Sequence, residues 1–258
     1  MIERISLSSS RAQRNAQLRQ LFPEVAGADS VFEGGRAAAL QRLRKLDAAA
    51  YGRTRNSLDG RVSRLSPYFR HGMLTLHEAA DFALTHFKGA SYKFVFELAW
   101  RDFWRRVQAE YGERIEQSIE SPKVPIGQRE LPEDIINAAT GLACMDAFAR
   151  ELVETGYVHN HARMWFASYV VHHRKVDWRA AAQWYYGELI DGDRASNHLS
   201  WQWIASTFSS KPYLFNRENL ERYSDGVYCE QCPAKRRCPF DQSYESLHEK
   251  LFSTEFSQ

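Results

Sequence analysis

Two stretches decide the fold: TGYVHNHARMWFAS at residues 155–168 and VDWRAAAQWYYGELIDGDRASNHLSWQW at residues 176–203. Apolar side chains recur at helical spacing in both, which predicts helices over Asn160–His173 and Trp178–Leu189, the second with Asp177 as its N-cap. The same stretches concentrate polar and aromatic side chains on adjacent helices and the loop between them: His159, Asn160, Arg163, Asp191, Asp193, Asn197, Trp201 and Trp203.

Arg163 and Asp191 are expected to form a buried, charge-assisted pair, which is stable only if good geometry offsets the loss of hydration. Two interpretations fit the residue types. One is a planar, electron-accepting ring held by arginine, carboxylates and asparagine beside electron-donating tryptophans. The other is an interhelical salt bridge within an aromatic core.

The rest of the chain is also helical in pattern. Leu40, Leu43 and Leu46 form an apolar stripe, and further helices are predicted over Tyr92–Val107 and Cys144–Glu154. The proline-rich stretch at 119–133 is a loop, and strand patterns are scarce. We therefore predict an all-α chain with a lead-in at 1–33, a helical domain at 34–225 and a cysteine module at 226–258.

Composition excludes several classes of protein. With 34 basic and 32 acidic residues among 258, the chain is no polycation, and it has no apolar run long enough to span a membrane. The N-terminus lacks the apolar segment of a secretory signal, and four cysteines are too few for a disulfide scaffold. These features favour the cytoplasm, or an organelle if the source is a plant or alga.

The cysteines form a second motif. Cys229 and Cys232 make a C-x-x-C, Cys238 follows with a trailing proline, and Cys144 is the remaining cysteine. This spacing is common to zinc, iron–sulfur and redox sites.

Several motifs occur in the order found in one family. These are Tyr51 with Arg55, SRLSPYFRHGMLT at 63–75, FELAWRDFWRR at 96–106, TGLACMDAFARELVETGYVHN at 140–160 and the two opening stretches. Over roughly residues 34–252 the chain resembles the cryptochrome/photolyase family. The resemblance implies its helical FAD-binding domain without the N-terminal α/β antenna domain. A separate antenna subunit or a homo-oligomer is therefore an expected partner.

The resemblance also implies roles for individual residues. Val62 stands where the family usually has threonine, which removes one hydroxyl contact to the phosphates. Positions around FAD in the family match Tyr51, Ser63, Arg64, Leu65, Ser66, Arg101, Asn160, Arg163, Asp191, Asp193 and Asn197. Positions of the pyrimidine-dimer pocket match Glu97, Trp100, Asn160, Met164 and Trp203, although core packing is an alternative for Met164 and Trp100.

Electron transfer in the family resembles hopping along tryptophans, and Trp201 and Trp178 match the inner and middle positions. Ile135 occupies the outer position, so the relay is broken, or rerouted through Trp184, Tyr185 or Tyr186. His161 stands where relatives often carry arginine, which weakens the expected contact with DNA phosphates.

The cysteine set resembles the bacterial iron–sulfur branch of the same family, although the spacer before Cys238 is shorter here. Cys144, Cys229, Cys232 and Cys238 are then ligands of a [4Fe–4S] cluster, with zinc as the alternative. A cluster implies a reducing compartment.

The implied function is light-driven electron transfer from reduced FAD that repairs cyclobutane pyrimidine dimers in DNA. A short cryptochrome-like photoreceptor, or a redox flavoprotein without repair, is the alternative. A third hypothesis is a nucleic-acid-binding iron–sulfur domain without flavin, since iron–sulfur primase domains resemble this helical fold.

Overall fold

The computed structural model describes residues 6, 8, 10–24 and 29–253; the rest of the lead-in and the last five residues of the cysteine module lie outside this set. The described chain folds into thirteen α-helices in the following order: α1 (Arg11–Leu21), α2 (Arg36–Arg44), α3 (Ala48–Thr54), α4 (Ser66–Arg70), α5 (Leu76–Phe87), α6 (Tyr92–Tyr111), α7 (Glu133–Ile136), α8 (Ala143–Thr155), α9 (Asn160–Ser168), α10 (Trp178–Glu188), α11 (Arg194–Ile204), α12 (Arg217–Ser224) and α13 (Tyr244–Phe252).

The all-α prediction is confirmed for this part of the chain, which contains one isolated parallel bridge, Arg129 to Val176, and no strand. Within it, no helix is both long and apolar enough to cross a lipid bilayer. Asp177 caps α10 as predicted, because its carboxylate accepts the Arg179 N–H at 2.9 Å.

One helix lies outside the predicted set: Arg11–Leu21 in the lead-in, in which no residue is buried. One local prediction needs correction. The helix predicted over Asn160–His173 ends at Ser168 and continues as a π-helical turn, Tyr169–His173. In that wider turn His172 reaches across to the carbonyl of Ile204 at 3.0 Å, a bond between distant residues that periodicity does not reveal.

The helices build two large apolar cores. One is formed by α2 to α5 with the first half of α6, and the other by α8 to α12 with the C-terminal segment. Phe240 of that segment is buried in the second core, and Tyr228 packs edge-on against Phe148 at 5.2 Å. A cavity lies where the two cores meet, lined by Leu98 of one and Ile204 of the other.

Candidate functional site

The junction cavity has a volume of about 540 Å³ and is lined by residues far apart in the sequence. That volume lies within the range usual for small-molecule sites. Except for Trp178 and the cysteines, every residue matched above to the FAD site, the dimer pocket or the inner relay position lines it: Tyr51, Ser63, Arg64, Leu65, Ser66, Glu97, Trp100, Arg101, Asn160, Arg163, Met164, Asp191, Asp193, Asn197, Trp201 and Trp203.

Arg163 and Asp191 form the predicted ion pair on one wall of the cavity. The Arg163 guanidinium donates to both Asp191 oxygens at 3.0 Å and to the Val158 carbonyl at 2.8 Å. Burial is the largest influence on the pKa of Arg163 and opposes its charge, but the Asp191 carboxylate and the nearby Tyr185 and Tyr157 phenols together outweigh it, so this pKa is raised. Arg163 therefore keeps its positive charge in a region largely shielded from water.

Arg101 presents hydrogen-bond donors that have no acceptor among the described residues. Its guanidinium lies 3.3 Å from an Asp193 oxygen, yet its Nε and one terminal nitrogen are buried without a hydrogen bond. Burial lowers the pKa of Arg101 despite that neighbouring carboxylate. Because buried donors without acceptors are costly, Arg101 is suited to a polar or anionic ligand.

Asp193 caps α11 and forms ion pairs with two arginines. Its carboxylate accepts the Ser196 N–H at 2.9 Å and so caps the helix. It also pairs with Arg101 and, at 3.2 Å, with Arg105. Burial acts against its charge, but the adjacent guanidinium groups and the Ser196 bonds lower its pKa below the usual value.

A second group of polar and aromatic residues lies at the mouth of the cavity. Glu97 is held by Arg55 and Lys93, each at 2.9 Å. Trp100 and Trp203 are partly exposed, and the Asn160 amide lies 3.8 Å from the Met164 sulfur. Two aromatic rings, an amide and a carboxylate that can accept a donor form a surface suited to a planar heterocycle.

The predicted relay residues lie at different depths. Trp201 lines the cavity, whereas Trp178 is fully buried outside its lining and donates from its indole nitrogen to the Ser118 hydroxyl at 3.3 Å. Ile135 is completely buried and supplies no redox-active ring at the outer position. A different run of rings connects Trp201 to Tyr185 at 5.7 Å and Tyr185 to the partly exposed Trp184 at 6.1 Å.

Sequence reasoning missed the side chains that hold the carboxylate-bearing loop. Arg70, at the end of α4, donates to the Gly192 carbonyl, and the Nε2–H of His71 donates to the Ile190 carbonyl at 2.9 Å. The loop between α10 and α11, which carries Asp191 and Asp193, is thereby tied to α4. Since these bonds join residues about 120 positions apart, no local pattern could have indicated them.

The four cysteines line a second, smaller cavity together with Leu142, Leu220, Phe240, Arg217 and Lys235. All four are free thiols. Burial raises the pKa of Cys144 far above the usual value and that of Cys229 to about 11. Across residues 10–24 and 29–253, no three histidine, cysteine or acidic side chains are arranged to hold a single metal ion.

Together the fold and the main cavity define an all-α domain with a site for a large, polar, partly planar ligand. Comparison with known proteins identifies the family. Residues 94–231 match the family model described as the FAD binding domain of DNA photolyase, and the chain belongs to this family.

Curated relatives carry two kinds of name. A deoxyribodipyrimidine photo-lyase of Thermus thermophilus is 36% identical over 70% of this chain and 45% of its own length. The rice cryptochrome DASH, chloroplastic/mitochondrial, is 31% identical over 67% of this chain and 32% of its own length. The chain therefore spans less than half of these relatives.

Solved structures agree with the sequence relatives. The crystal structure of a Synechocystis cryptochrome matches 87% of this chain and 50% of its own, with a TM-score of 0.72 and 26% identity. The chain thus has the helical fold of the cryptochrome/photolyase FAD-binding domain, as the sequence predicted.

Proposed function

We propose that this chain binds FAD in the junction cavity and, under blue light, uses the reduced flavin to split cyclobutane pyrimidine dimers in DNA. When bound, reduced FAD supplies the light-driven electron, which returns after the cyclobutane ring has opened, so that the net reaction is redox-neutral.

The inner part of the cavity supports the flavin part of this proposal. Arg163, paired with Asp191, places a permanent positive charge where a reduced ring would carry negative charge. Asn197 lines the cavity, and its side-chain amide is fixed by a bond that it donates to the Ala182 carbonyl at 2.9 Å. Arg101 adds two donors that would otherwise lack acceptors.

The residues at the mouth of the cavity support the second part of the proposal, which is binding of the pyrimidine dimer. Trp100 and Trp203 offer aromatic faces for two unstacked bases. Glu97, held in place by Arg55 and Lys93, would accept the N–H of a thymine edge, and Asn160 with Met164 would fill the space between the bases and the flavin.

The observation that carries the proposal is that both sets of residues line one continuous cavity. A structural salt bridge within an aromatic core would need no cavity of about 540 Å³ beside it.

The test is illumination of the FAD-loaded, reduced protein with a thymine-dimer oligonucleotide. We expect loss of the dimer in the light and no loss in the dark. Replacement of Glu97 by Gln should weaken binding of the dimer about 10-fold while FAD remains bound, since a neutral amide oxygen accepts the thymine N–H less strongly than a carboxylate does. A loaded, reduced protein that leaves the dimer intact would reject repair but leave FAD binding in place.

A blue-light photoreceptor or redox flavoprotein without repair is the second candidate function. Two observations favour it: the relatives include proteins named cryptochrome, and Ile135 interrupts the usual relay. The illumination experiment separates the two candidates.

We also propose that Cys144, Cys229, Cys232 and Cys238 hold a [4Fe–4S] cluster. The four cysteines line one cavity, and four thiolates are the usual ligand set of such a cluster. Arg217 and Lys235 line the same cavity and would offset the negative charge of four thiolates. A cluster, like the absence of disulfides, suits a reducing compartment such as the cytoplasm.

Anaerobic metal analysis tests this second proposal. We expect four iron atoms per chain, and loss of iron with reduced stability on replacement of Cys229 by Ser. One zinc per chain, or no metal in anaerobically purified protein, would reject the cluster. Sedimentation of the same sample would show whether the chain forms a homo-oligomer.

A further inference from the structure

One helix exposes a row of aromatic side chains that the fold does not use. Tyr92, Phe96, Trp100 and Phe103 of α6, called here the aromatic ladder, are 72%, 39%, 42% and 43% exposed. Their spacing of four, four and three residues places them on one face of the helix. Consecutive ring centroids lie 6.0, 6.1 and 5.6 Å apart.

The ladder continues the main cavity onto the surface. Phe96 and Trp100 line the cavity, whereas Tyr92, one helical turn before Phe96 on the same face, does not. A strand that leaves the cavity along this face of α6 meets Tyr92 next.

Positive charges accompany the ladder at both ends. The Lys93 ammonium lies 4.7 Å from the centre of the Phe96 ring, and Lys88 is exposed just before α6. Arg106 is paired only with the exposed Asp102, an arrangement easily exchanged for a phosphate contact. Aromatic rings flanked by cations are typical of surfaces that bind single-stranded nucleic acid.

We propose that the aromatic ladder is a stacking platform for unpaired nucleotides that flank the lesion, with Tyr92 holding the base next to it. The inference rests on the proposed function and adds that the nucleotides beside the lesion are single-stranded when they bind. The Tyr92 and Phe96 rings lie within 27° of parallel at 6.0 Å, farther apart than the roughly 3.4 Å spacing along each strand of a duplex, so this pair suits a single strand with separated bases.

The experiment measures how affinity depends on the flanking nucleotides. Dissociation constants are determined for a thymine-dimer dinucleotide, for the same dimer with four single-stranded thymidines on its 5′ or 3′ side, and for the dimer in a duplex. We expect one single-stranded flank to tighten binding of the unaltered protein by about 10-fold, the effect of stacking one base on an aromatic ring.

Replacement of Tyr92 by Ala should abolish this gain and leave affinity for the dinucleotide unchanged, because Tyr92 does not line the cavity. Tyr92→Phe keeps the ring and should keep the gain. Leu84→Ala removes another large exposed apolar side chain, on neighbouring α5, and should have no effect.

Undamaged oligothymidylate separates this inference from the proposed function. One outcome is that dimers are neither bound nor repaired but Tyr92→Ala still weakens oligothymidylate binding about 10-fold. That outcome would support the aromatic ladder as a nucleic-acid-binding surface and reject the proposed repair activity. If Tyr92→Ala retains the full gain from the flank, or the duplex flank gives the same gain, the ladder proposal is overturned. If Tyr92→Ala dissociates an oligomer and leaves the affinity for nucleic acid unchanged, the ladder proposal is also overturned. The aromatic face would then be a protein–protein interface.

Discussion

Asp191 is the residue on which the inner wall of the cavity most depends. Its carboxylate is only 3% exposed and accepts two bonds from Arg163. Replacement by Ala leaves a guanidinium in a shielded site without its partner, and we expect the free energy of unfolding to fall by about 3–5 kcal/mol in urea titrations. Asp134→Ala removes a carboxylate from a more exposed pair with Arg174 and is expected to cost about 1 kcal/mol or less.

A double replacement separates stability from ligand binding at the same pair. Arg163→Met with Asp191→Leu exchanges the buried charges for apolar groups of similar size, so most of the lost stability should return. FAD binding should not return, because no charge remains at the ring position. A double variant that binds FAD as tightly as the unaltered protein would contradict the role proposed for the pair.

At the scale of elements, α4 controls the loop between α10 and α11. Arg70→Met or His71→Leu frees a carbonyl of that loop at a partly exposed position, at a cost of about 1 kcal/mol in stability. Since Asp191 and Asp193 lie on this loop, we expect FAD affinity in fluorescence titrations to fall about 10-fold, the equivalent of 1.4 kcal/mol.

Conservative variants serve as controls for this prediction. Arg70→Lys and His71→Gln keep a donor within reach of the same carbonyls, so affinity should recover in part. Lower stability with unchanged affinity in the disruptive variants would mean that α4 supports the fold without positioning the carboxylates.

For the whole molecule, the sequence predicted what depends on residue type and spacing. Helical periodicity indicated α8 and α10 to within one residue at each end, and α6 and α9 with C-terminal ends four or five residues off. Ordered motifs indicated sixteen residues that share one cavity. The sequence did not indicate the hydrogen bonds of Arg70 and His71, the π-helical turn or the helix in the lead-in. The first two depend on tertiary contacts between distant residues. The third is a polar helix without the apolar stripe that periodicity detects.

Buried histidines give the whole molecule a characteristic acid response. Burial lowers the pKa of His159 and His172 to about 4 and that of His173 to about 3, against an ordinary value of 6.5. Each is therefore neutral in the folded protein at pH 5 and protonated in the unfolded chain. Because unfolding takes up protons, the stability these groups contribute is present above pH 6.5 and is lost as the pH falls toward their folded pKa values.

Between pH 6 and 5, these three groups alone should lower the free energy of unfolding by about 3–4 kcal/mol. Burial also lowers the pKa values of His161 and His198, which therefore act in the same direction. Carboxylates with lowered pKa values, such as those of Asp134 and Asp193, change protonation below this range and contribute little to it. His172→Gln keeps a donor for the Ile204 carbonyl but cannot titrate, so it should remove about 1 kcal/mol of this loss. Urea titrations at pH 6, 5.5 and 5 measure how the free energy of unfolding depends on pH in the unaltered protein and in His172→Gln. A free energy of unfolding that does not change with pH would show that these imidazoles are already protonated in the folded protein.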